Sequence, residues 1–140
     1  KDKFLFLLSE YPNTDFSLDA KFKLDLIADI LASKEIYLAN YYIKKEKWIP
    51  AINRLKVIIN DYNETIYVEE ALHRLVEIHY KIGLELEAKK YANVLGYNYL
   101  SSEWYKESYK VFNKDYISER EKLNKKSKKS IFKKLKTLIE

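Results

Sequence analysis

The chain has no cysteine and no methionine, and only 2 glycines and 2 prolines among 140 residues. Without cysteine this stretch has no disulfide framework, thiolate metal site, sulfur nucleophile or lipidated thiol. So little glycine and proline excludes a turn-rich sandwich, a glycine-rich phosphate loop and a collagen-like or linker-like chain. No run of about 18 apolar residues occurs, so no segment is built to cross a bilayer as a helix. No charged-then-apolar leader precedes Lys1, which leaves two readings: a leader was removed, or this is a piece of a longer chain. Excess charge of one sign is missing too, over most of the length. Residues 1–113 hold 16 Lys and Arg against 17 Asp and Glu, whereas residues 114–140 hold 10 against 4. The net charge of +5 therefore belongs to the tail. An A/T-rich coding sequence would raise Lys, Ile, Asn and Tyr in the same way, so lysine content alone carries no functional weight.

What is present is helical periodicity. Phe4, Leu7, Leu8 and Tyr11 share a helical spacing, and Leu18, Phe22, Leu26 and Ile30 recur every four residues, flanked by Ile27 and Leu31. Trp48, Ile52, Leu55 and Ile59 form a further stripe, as do Val68, Leu72, Leu75, His79 and Ile82, then Ala88, Tyr91, Ala92 and Leu95. These patterns predict amphipathic helices with wide apolar faces. Pro50 fits a first helical turn, and Gly83 and Gly96 are placed to end helices.

An internal repeat sets the architecture. Tyr62–Tyr67 and Tyr99–Trp104 match at an offset of 37, which also superposes Leu38 on Leu75, Ala51 on Ala88 and Leu55 on Ala92. A third copy of the turn occupies Tyr11–Phe16. Thr14, Thr65 and Ser102 are the predicted N-caps, and Phe16, Tyr67 and Trp104 should pack each helix onto its neighbour. Ala39, Ala51 and Ala88 suit close crossings. The pattern is tetratricopeptide-like. From Asn13 to Ile49 there is neither Gly nor Pro, which predicts one long helix or two with a kink near Ala32-Ser33. The expected fold is an all-α tetratricopeptide-like solenoid with a basic C-terminal extension. Residues 1–112 are repeats, with 1–11 the end of a truncated unit, and 113–140 are a basic tail with an amphipathic helix over 130–139.

The blocks LANYYIKKEKWIPAINR (38–54) and AKKYANVLGYNYLSSEWYKESY (88–109) carry a resemblance over residues 9–112. They are similar to the C-terminal half of the BamD family, the tetratricopeptide lipoproteins of the bacterial outer-membrane β-barrel assembly (Bam) machinery. The resemblance implies a non-catalytic periplasmic scaffold, lipid-anchored in its full length at the outer membrane. Its C-terminal repeats would hold a periplasmic POTRA domain of the BamA-type barrel subunit, with other Bam lipoproteins attending. Asn53-Arg54 matches the family's Asn-Arg, whose arginine faces an acidic residue of that domain. Arginine suits the task, because its planar fork grips a carboxylate with two bonds. Its bland use is an exposed ion pair worth about 0–1 kcal/mol. Lys47, Trp48 and Lys56 lie on the same unit and complete the candidate partner-binding set.

Other constellations point elsewhere. Glu70-x-x-His73 has the spacing of a di-iron ligand pair, but no second such motif accompanies it. His79 aligns with the packed Tyr42 and reads as structural. No nucleophile–base ordering supports catalysis, and no metal or cofactor is implied. In the tail, Ile131, Phe132, Leu135, Leu138 and Ile139 share one face, while Lys133, Lys134 and Lys136 take the other. Such a helix lies on an anionic membrane, docks in a partner's groove or packs back as a solenoid cap. The alternative function class is therefore a helical-repeat module that binds nucleic acid or an anionic membrane through its tail. The neutral body disfavours nucleic acid.

Overall fold

In the computed structural model, which describes residues 2–113, the periodicity becomes six α-helices. They are α1 Asp2–Glu10, α2 Asp15–Lys44, α3 Trp48–Asp61, α4 Val68–Lys81, α5 Glu85–Asn98 and α6 Glu103–Phe112. Each packs on its successor, except that α6 lies on both α4 and α5. That is the tetratricopeptide-like stack: α2 with α3, α4 with α5, then the first helix of a further pair. The predicted helix over 130–139 lies outside the described residues.

Small residues sit where helices cross. Ala39 and Ala51 are fully buried between α2 and α3, and Ala88 is fully buried in the next pair. Around them Ile36, Leu55, Ile58, Leu72, Leu75 and Leu95 make one apolar core, and Val76, Ala88 and Ala92 a smaller one. The two turns inside the pairs use the same device at the repeat offset. Gly83 has φ +85°, and Glu46, its equivalent, adopts φ +54° despite its side chain. This is why α2 stops at Lys44 although neither Gly nor Pro marks the place. It runs without a break through Ala32-Ser33, so the single long helix is the realised alternative.

Four expectations need correction. Gly96 ends nothing: it lies inside α5, where a Cβ would come within 2.5 Å of the Tyr105 ring, so the glycine admits α6 at close range. Thr65 caps nothing either. Its hydroxyl donates back to the Tyr62 carbonyl at 2.8 Å, and α4 begins after Tyr67, too far on for a cap bond. Thr14 and Ser102 do cap, accepting from the Ser17 and Trp104 amides at 3.3 and 3.1 Å. Phe16 is 75% exposed, whereas Tyr67 and Trp104 pack on the core as expected. Finally, Leu18, Phe22, Leu26 and Ile30 are all at least half exposed. A spacing of four advances about 40° past a full turn at each step, so this stripe winds around α2 away from its neighbours. The side that packs carries Ser17, Ala20, Ala32, Ile36 and Ala39 instead.

Candidate interaction face on α3

α3 has two unlike sides. Ala51, Leu55 and Ile58 are wholly buried against α2 and α4, and Pro50 occupies the first turn, where a missing N–H costs nothing. On the opposite side Ile49, Asn53, Lys56 and Asn60 are exposed, spaced at three and four so that they form one stripe. Ile49 is 74% exposed, and Leu86, its repeat equivalent on α5, is 76% exposed. Sequence periodicity gives no sign of these two, because each falls between the positions of the buried stripe.

Arg54 stands at the edge of that stripe. Its Nη1 donates to Glu35 Oε2 at 3.2 Å, across the α2–α3 crossing, and its side chain keeps 43% exposure while Glu35 keeps 14%. The guanidinium is therefore held by one internal carboxylate and still faces outward with donors to spare. Glu35, nineteen positions away, has no sequence pattern linking it to Arg54. Lys47 is exposed at the start of α3. Trp48 differs from the rest of the set: its ring packs against the main core, and Lys81 Nζ lies 4.6 Å from the ring centroid. Lys81 also approaches Glu46 at 3.6 Å, so Trp48 belongs to the joint between the two intra-pair turns and not to the outward stripe. The structure thus brings Asn53, Arg54 and Lys56 together, with Lys47 at one end.

The histidines lie in the interior, away from this face. His73 is 4% exposed, its Nδ1 is 2.9 Å from Ser108 Oγ on α6, and its ring lies over Trp104. Its Nε2 is 3.5 Å from Glu77 Oε1, and Arg74 Nη1 donates to the other oxygen of Glu77 at 2.8 Å. The hydrogen bond from His73 chiefly holds the Glu77 carboxyl down to about 2 from 4.5, with Arg74 adding to it against the opposing effect of burial. His79 donates from Nδ1 to the Leu75 carbonyl at 2.7 Å, within its own helix, and stacks near Tyr91. Ser108 is fully buried, so the contact between His73 and Ser108 clamps two helices where no substrate could reach.

With this geometry in hand, likeness to known proteins is informative. The sequence matches the family described as YfiO, outer membrane lipoprotein, over residues 1–95. It is 44% identical over 111 residues to an outer membrane protein assembly factor BamD from Rickettsia prowazekii, covering 79% of this chain and 44% of the relative. The BamD of Caulobacter vibrioides is 40% identical over 107 residues, covering 76% of this chain and 35% of its own length. In Neisseria gonorrhoeae the corresponding figures are 39% over 75 residues, 54% and 28%. The chain thus spans less than half the length of these relatives. The match to the family stops within α5, so α6 lies beyond it.

Proposed function

This chain belongs to the YfiO family of outer membrane lipoproteins, and on that footing we infer that it is a non-catalytic adaptor in outer-membrane protein assembly. It works by holding a partner on the outward face of α3. That partner is the POTRA region of a BamA-type barrel subunit, in a complex with other Bam lipoproteins. The place is the periplasmic side of the outer membrane, with the lipid anchor in the full-length protein outside this stretch.

The observation that carries the reading is the division of labour on α3. Its inner side is fully used in folding, and its outer side, Ile49, Asn53 and Lys56, contributes little to the core. Arg54 at the margin is already ordered by Glu35, so gripping an external carboxylate costs less side-chain entropy than it would for a free arginine. The burial of His73 and Ser108 supports a structural task for the polar cluster and leaves no accessible nucleophile–base pair there.

The pairing with Glu35 also shapes the test. Arg54→Glu alone would set two acids against each other inside the protein. Exchanging both, Glu35→Arg with Arg54→Glu, retains an internal pair while reversing the outward charge. Titration of the isolated POTRA domain should show affinity at least tenfold weaker for the exchanged protein, about 1.4 kcal/mol, with an unchanged circular dichroism spectrum. Lys56→Glu should weaken binding in the same direction. Equal affinity for the parent and both variants would remove this face from the interface.

A further inference from the structure

The third helix pair is represented by one helix among the described residues. α2 and α4 are each followed, after a three-residue turn, by a helix that returns along them, α3 and α5. α6 packs on α4 and α5 in the place of the next first helix. Between α5 and α6 runs a groove of about 400 Å³, lined by Lys89, Ala92, Asn93, Tyr109, Phe112 and Asn113. Ala92 is buried at its base, and Phe112 is half buried, with its ring edge-on to Tyr80. The described residues end at Asn113, itself a wall of the groove, and 27 residues of chain follow.

We propose that the segment 130–139 of this same chain lies in the α5–α6 groove, as the second helix of the third pair. Phe132, Leu135 and Leu138 face Ala92 and Phe112, and Lys133, Lys134 and Lys136 face solvent. Reach is sufficient: a coil of the length of residues 114–130 has an end-to-end distance of about 23 Å, against about 15 Å for the length of α6. The walls carry one cation, Lys89, and no acid, so charge does not draw a basic segment in; the nearby glutamates Glu87, Glu103 and Glu107 are paired with Lys90, Lys106 and Lys110 respectively. The fit is therefore apolar and persists in salt. A membrane surface would need the same apolar side chains, so the two uses exclude each other.

The absence of native cysteine permits a direct test. Asn93→Cys, on the groove wall, is combined in turn with Ile131→Cys and Leu138→Cys on the proposed buried face, and with Lys133→Cys and Thr137→Cys on the opposite one. The full chain is oxidised at high dilution and mapped by peptide mass. The expected result is an intramolecular bond at some positions and not others, following a helical period. Deletion of residues 130–140, or Phe132→Ala with Leu135→Ala, should also lower the melting temperature of the remaining protein by several degrees. Uniform cross-linking at every position, or none, would overturn the proposal. So would a truncated chain that melts like the parent while the intact chain cosediments with phosphatidylglycerol vesicles through Phe132 and Leu135.

Discussion

Glu77 takes its proton at about 2 in the folded protein, against 4.5 for an ordinary glutamate, because His73 and Arg74 favour its charged form. A depressed carboxyl contributes stability that is complete above the ordinary value and disappears as pH falls through the folded one. The window is thus pH 4.5 down to 2. The side chain is 41% exposed, so solvent screens part of the effect. Glu77→Gln should lower the melting temperature at neutral pH and flatten its fall across that acid window, followed by circular dichroism. A slope identical to that of the parent would uncouple Glu77 from folding. Backbone conformation gives a second contrast. Gly83 has φ +85° and open space where a Cβ would go, so Gly83→Ala should cost about 1–2 kcal/mol through conformation alone. At the equivalent Glu46, mutation to Gly relieves the same strain. It also loosens the unfolded chain by about 0.4–1 kcal/mol and loses an exposed pair with Lys81, so the net change should stay within about 1 kcal/mol. Urea midpoints of the two variants measure that asymmetry.

At the scale of elements, α5 and α6 meet at Gly96. Ala is the better helix former by about 1 kcal/mol, yet a methyl group there would strike the Tyr105 ring, and overpacking costs about 1–3 kcal/mol. Gly96→Ala should therefore lower the melting temperature, and a rise would mean that α6 yields freely. The same glycine shows how far the sequence could be read. Spacing located α1 to α5, because buried residues such as Leu55, Leu75 and Leu95 recur with the helical period and the repeat offset, and the repeated turn capped by Ser102 located the start of α6. Spacing cannot tell a glycine that stops a helix from one that lets a neighbour approach. It also missed the stop at Glu46, since nothing about glutamate announces a positive φ. On the candidate face, the Asn-Arg motif singles out Arg54 as a candidate. Nothing singles out its partner Glu35, because a contact across two helices leaves no local signature. Trp48 stands apart from the rest of the candidate set because its ring packs against the core, a contact that its place beside lysines in the sequence does not disclose.

At the scale of the whole molecule, the exposed apolar side chains among the described residues are densest on α1 and along α2 as far as Leu31, where Phe6, Leu18, Phe22 and Ile30 are each 58–69% exposed. Phe22→Lys with Ile30→Lys should therefore leave the urea midpoint nearly unchanged, within about 0.5 kcal/mol, as surface substitutions usually do. It should also reduce association at high protein concentration, measured by sedimentation velocity. A large loss of stability would show that these side chains support the fold. The helix that carries them is itself a mechanical part. α2 runs 30 residues without Gly or Pro, so it is a rod of about 45 Å with no built-in hinge. One end is bedded against α1 and the other against α3. A tilt of about 5° imposed where Arg54 holds Glu35 would swing Asp15, about 30 Å along the rod, by about 3 Å, so a push received there is delivered, lever-fashion, two thirds of a rod's length away.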